Sequence, residues 1–119
     1  MNLDMGGITI DCADPRALAE FWTKALDLEI VFDAEGYFVQ LRSRANPAQP
    51  YLGLQKVAED KVGKNRVHLD FATEDRLAEV ERLVALGATK GEEHTVPGLT
   101  WTVLQDPAGN EFCVGSRHG

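Results

Sequence analysis

The sequence predicts an α+β domain built from two tandem β-α-β-β-β modules. Three observations carry that expectation. Residues 9–21 lie on residues 68–80 without a gap, and five of the thirteen positions are identical: Asp11/Asp70, Ala13/Ala72, Leu18/Leu77, Ala19/Ala78 and Glu20/Glu79. A second match follows in the same order, Asn46-Pro47-Ala48 with Asp106-Pro107-Ala108, and each copy precedes an apolar-alternating stretch. Each half then reads as one strand, one helix and three further strands.

The elements follow in order. Residues 8–12 and 67–71 alternate apolar and polar, as a strand with one buried face does. Asp14 followed by Pro15 starts a helix, because Asp accepts from free amides and Pro suits the first helical position. Leu18, Phe21, Trp22 and Ala25 give that helix an apolar stripe. In the second copy Thr73 is read as the cap, Leu77, Val80, Leu83 and Val84 as the stripe, and Gly87 as the stop. Residues 28–32, 37–42 and 51–57, then 89–93, 100–105 and 111–115, read as strands punctuated by Gly36, Pro97-Gly98 and Gly109-Asn110. The modules are placed at about 5–57 and 66–117, with residues 58–65 as a charged linker, all within one domain of 119 residues. A ferredoxin-like sandwich competes with this architecture but leaves the third and fourth apolar runs of each half unexplained.

Bulk composition narrows the function. Hydrophobic residues make up 44% and charged residues 26%, which is ordinary for a globular chain. The formal charge of −7 disfavours nucleic acid as a partner and favours cationic small molecules over anionic ones. Two cysteines, Cys12 and Cys113, make no disulfide framework. Residues 1–6 lack the basic and apolar runs of a signal peptide, and no apolar stretch approaches the ~20 residues that span a bilayer, so no membrane partner is expected and the cytoplasm is the expected compartment.

Four stretches resemble a known group: Asp11-Cys12-Ala13-Asp14-Pro15, Leu18-Ala19-Glu20-Phe21-Trp22, Gly63-Lys64-Asn65-Arg66-Val67-His68-Leu69-Asp70, and Asp106-Pro107-Ala108-Gly109-Asn110-Glu111-Phe112. They look like the glyoxalase-like branch of the vicinal-oxygen-chelate superfamily, which includes bleomycin-resistance proteins and dioxygenases. The resemblance implies modules whose sheets form a half-open curled sheet around a pocket, and a homodimer. It also implies a divalent metal held by one side chain from the first and last strand of each module, usually His, Glu, His and Glu.

Strand alternation places Thr9, Asp11, His68, Asp70, Glu111, Cys113, Tyr51, Gly53 and Gln55 on the face away from the helices. On the family pattern His68 matches the second-module histidine. The first-module histidine falls on Gly7 or Thr9, the last-strand glutamate on Cys113 and the fourth-strand glutamate on Gly53. One consensus ligand of four is therefore retained, short of the three a divalent site needs. A rebuilt site from His68, Glu111, Cys113 and Asp11 is the alternative, and the ions to test are zinc, nickel, manganese and iron.

Two functions stay open. The first is a metal-free protein that binds or sequesters a small, cationic aromatic compound, with Asp70, Gln55, Cys113, Phe38, Trp101 and Thr9 as ligand-binding residues. The second is a lyase, isomerase or dioxygenase type of enzyme using His68 with Glu111 and Asp11, with His68 and Glu111 as metal candidates. A dimerising module with a vestigial pocket is the structural reading. Lys61, Lys64 and Arg66 read as a solvated linker, and His94 and His118 are assigned to a loop and the tail with no role.

Overall fold

The computed structural model describes residues 2–116, so His118 lies outside the described residues. The chain divides into two compact units, residues 1–60 and 61–119. The first runs β1 (Gly7–Cys12), α1 (Pro15–Leu26), β2 (Leu28–Ala34), β3 (Phe38–Ser43) and β4 (Tyr51–Lys56). The second runs β5 (Leu69–Thr73), α2 (Arg76–Leu86), β6 (Thr89–Val96), β7 (Leu99–Gln105) and β8 (Glu111–Ser116). Each unit holds an open four-stranded sheet, ordered β1-β4-β3-β2 and β5-β8-β7-β6. The first strand of each pairs parallel with the last, and the other pairs are antiparallel. Four strands to one helix set aside the ferredoxin-like alternative.

In the first unit Asp14 caps α1 by accepting from the Ala17 amide, and Pro15 follows it. Leu18, Ala19, Phe21, Trp22 and Ala25 are buried with Val39, Leu41, Leu52 and Leu54 of the sheet. In the second unit the cap is Asp75, which accepts from the Ala78 amide; Thr73 ends β5 and its hydroxyl accepts from the Asp75 amide. The buried stripe of α2 is Val80 and Leu83, over Leu104, Phe112 and Val114, while Leu77 and Val84 are 64% and 43% exposed.

That difference exposes a register error in the sequence repeat. In the first unit Gly7 pairs with Tyr51, Gln40 with Gly53 and Phe38 with Gln55. In the second, Leu69 pairs with Phe112, which sets His68 beside Glu111; Val103 pairs with Cys113 and Trp101 with Gly115. Aligning the two caps and the two Pro-Ala turns makes Gly7 the counterpart of His68, Thr9 of Asp70, Tyr51 of Glu111, Gly53 of Cys113 and Phe38 of Trp101. Asp11 corresponds to Ala72 and not to Asp70. The five identities are thus two residues out of register. A slip of two keeps every strand residue on its face but turns a helix by about 200°. Leu77, matched in sequence to buried Leu18, consequently sits at the surface.

Residues 58–65 were expected to be a solvated linker. Instead Lys61 and Asn65 both bind Glu111, and residues 61–65 pack on the second unit.

Candidate functional site

The last strand of the second unit is aimed by the turn before it. Asp106 is 3% exposed, and its carboxylate accepts from the amides of Ala108 and Asn110 at 2.9 and 3.0 Å. This local ring of bonds is why the Asp-Pro-x-Gly-Asn sequence makes a fixed turn. From it, Glu111, Cys113 and Gly115 alternate onto the face opposite α2. Asp70 of β5 pairs with Cys113, and Trp101 of β7 pairs with Gly115.

Three donors meet there. His68 Nδ1 lies 3.0 Å from Asp70 Oδ1 and 3.7 Å from Cys113 Sγ. One ligand atom from each of the three lies within 4.8 Å of the other two. Cys113 is 6% exposed, whereas the side chains of His68 and Asp70 are 38% and 72% exposed. Burial, and then the neighbouring Asp70 carboxylate, push the Cys113 thiol above its ordinary pKa. A thiol shifted that way is a poor nucleophile on its own. Neither Cys12 nor Cys113 is in a disulfide.

Glu111 is beside this cluster but is otherwise engaged. It accepts from Lys61 Nζ at 3.0 Å and from the Asn65 backbone amide at 3.1 Å. With its amide oriented to satisfy both ends, Asn65 also donates to the carboxylate at 2.5 Å and accepts from the Glu111 backbone N–H at 3.2 Å. Burial alone would raise the Glu111 carboxyl, but the Lys61 ammonium and the backbone amides outweigh it, and the net shift is downward. The group is held as a carboxylate that anchors residues 61–65, and it does not have the raised pKa that suits a general acid.

Around the cluster is a concave pocket of about 610 Å³, whose lining includes Lys64, His68, Asp70, His94, Trp101 and Cys113. His94 belongs to β6 and is not in a loop; its ring stacks on Trp101 with centroids 5.3 Å apart and planes at 27°. Sequence reasoning missed it. The signal was the Pro97-Gly98 turn: counting three residues outward from either side sets His94 opposite Trp101, as the sheet pairing does. Lys64, read as part of the solvated linker, is likewise a lining residue.

The first unit uses the corresponding face differently. Thr9, Asp11, Gln55 and Phe38 share it, with Asp11 and Phe38 both paired to Gln55. The positions matching His68 and Cys113 are glycines covered by rings. A Cβ on Gly7 would fall 2.4 Å from the Tyr51 ring, and one on Gly53 would fall 2.8 Å from Thr9 Oγ1 and 2.9 Å from the Phe38 ring. Phe38 and Tyr51 meet edge to face at 6.5 Å, and the Arg42 guanidinium lies 5.4 Å over Tyr51. The positions Gly7, Thr9, Tyr51 and Gly53 offer no imidazole or carboxylate. The His, Glu, His, Glu set implied by the resemblance therefore does not fit this chain.

A family model described as a glyoxalase-like domain matches residues 7–115, and the chain belongs to that family. The fold recurs in a glyoxalase/bleomycin resistance protein/dioxygenase family enzyme from Burkholderia phytofirmans PsJN, at TM-score 0.78 and 18% identity over 96% of this chain and 98% of that one. It recurs in a lactoylglutathione lyase from Agrobacterium tumefaciens, at TM-score 0.71 and 22% identity over 98% and 95%. It recurs too in the fosfomycin resistance protein FosX from Listeria monocytogenes, in complex with manganese(II) and a dihydroxypropylphosphonic acid, at TM-score 0.78 and 17% identity over 96% and 90%. At these identities the likeness establishes the fold. No curated protein sequence matches the chain. Among the described residues no helix is long and apolar enough to cross a membrane.

Proposed function

We propose that this chain is a small-molecule-binding protein whose occupant is a flat, cationic compound held in the pocket of the second unit. The observation that carries the reading is the pocket itself: about 610 Å³, with the stacked His94–Trp101 pair beside His68 and Asp70. That volume suits a small organic molecule, since such sites span roughly 300–1,000 Å³. An aromatic wall supplies area at low entropic cost, and a few polar groups fix orientation. The charge of −7 and the exposed Asp70 carboxylate favour a cation.

The second reading, an enzyme using His68 with Glu111 and Asp11, has less support. Glu111 is tied to Lys61, and Asp11 belongs to the first unit, where its counterpart position in the second unit is Ala72.

The test is equilibrium binding of matched cationic, neutral and anionic heteroaromatic compounds, for example N-methylquinolinium, quinoline and quinoline carboxylate. The cation is expected to bind saturably, and Trp101→Ala to weaken it roughly tenfold, the equivalent of losing one good aromatic contact. Equal binding by all three, or binding indifferent to Trp101, would overturn the proposal.

A further inference from the structure

We infer that His68, Asp70 and Cys113 form a divalent-metal site of the zinc class, built within the second unit alone. The inference stands on donor geometry and does not depend on the ligand reading above. A tetrahedral zinc ion with ordinary bond lengths sets its N and O donors about 3.4 Å apart and its N and S donors about 3.6 Å apart. The metal-free separations are 3.0 Å for His68 Nδ1 to Asp70 Oδ1 and 3.7 Å for His68 Nδ1 to Cys113 Sγ. Two edges of one tetrahedral face are thus close to their zinc-bound lengths, and the third, between Asp70 and Cys113, is within 4.8 Å. Both contacts use the same ring nitrogen, which is what convergence on a common ion requires and what a proton relay through the ring does not supply.

Three further features fit. The set combines thiolate, imidazole and carboxylate, a mixture that selects zinc or another borderline metal over calcium or magnesium. Two of the three donors carry negative charge when metallated, which balances a dication. Glu111 is excluded because Lys61 and Asn65 occupy its oxygens. The site thus differs from the ligand set that the family resemblance implies, whose first-unit positions are filled here by the Tyr51 and Phe38 rings. Three protein donors leave one position of a four-coordinate ion for water or a pocket occupant.

The experiment titrates the chelator-stripped, untagged chain with cobalt(II) and zinc(II). Uptake of about one ion per chain is expected, with a thiolate-to-cobalt charge-transfer absorption that zinc abolishes. Cys113→Ser should remove that band, and His68→Ala and Asp70→Asn should each weaken binding by roughly tenfold or more. Asp70 is largely exposed, so its variant should fold as wild type does, which thermal unfolding of the stripped protein checks. Glu81→Gln, on the surface of α2, should bind as wild type. Failure of the stripped chain to take up metal, or uptake without a thiolate band or unaltered in the Cys113 and His68 variants, would overturn the site. Binding of the quinolinium probe in excess chelator tests the ligand reading separately, so the two fail independently.

Discussion

At the scale of single residues, strand alternation sets which side chains share a face. His68, Asp70 and Cys113 were assigned to one strand face by period two, and the structure brings their donor atoms together. Alternation cannot say which carboxylate on that face turns toward the cluster. Asp70 lies two residues from His68 and Glu111 two residues from Cys113, but the Lys61 ammonium takes Glu111, a contact spanning a separation of 50 residues that no local pattern encodes. The two glycines of the first unit carry a prediction of their own. Gly53→Ala drives a Cβ into the Phe38 ring and the Thr9 hydroxyl, at a cost of about 1–3 kcal/mol typical of overpacking. Urea denaturation should show that loss, and Phe38→Leu in the same chain should recover part of it. An additive double variant would mean that the ring does not occupy the glycine's space.

At the scale of elements, strands were legible and helix rotation was not. A two-residue slip in the repeat leaves β5 correctly faced while it misplaces the stripe of α2, because the periods of strand and helix differ. The cap decides the matter: Asp75, not Thr73, accepts from the α2 amides, and with the cap goes the burial of Val80 and Leu83. The hairpin joining β2 to β3 offers a pH test. Arg16 of α1, first, and then the Gly36 amide, both bonded to the Asp33 carboxylate, hold its pKa below the ordinary value. A depressed carboxyl stabilises the fold above its unfolded pKa and loses that contribution as pH falls through the folded value. The stability difference between wild type and Asp33→Asn should therefore be constant from neutral pH to about pH 5 and shrink below about pH 4. A difference that grows in acid would contradict the sign.

At the scale of the whole molecule, the resemblance carried by four short stretches, the Asp-Pro-x-Gly-Asn turn among them, led to the glyoxalase-like family, and the family match covers residues 7–115. They were not enough to show how far the two units have diverged. One carries the donors and a stacked His94–Trp101 pair, and the other carries glycines under Tyr51 and Phe38. The resemblance also implies a homodimer. The edge strand β2 exposes Ile30, Val31 and Phe32 by 51%, 45% and 54%, an apolar run suited to self-association. Light scattering should give about twice the 13.1 kDa chain mass, and Phe32→Lys should lower it toward one chain. A monomer for the wild type would remove that expectation without touching the pocket.

The central claim is that the second unit's pocket binds a flat cationic compound. Its most direct measurement is a two-dimensional NMR titration of the ¹⁵N-labelled chain with the quinolinium probe, following the two indole N–H signals of Trp22 and Trp101 with the backbone amides. Trp22 is 1% exposed inside the first unit and serves as the internal control. Saturable shifts of Trp101 and of amides in β7 and β8 around Val103, Cys113 and Gly115 are expected, with Trp22 still. Shifts scattered over the surface, or centred on the first unit with Trp101 unmoved, would contradict it.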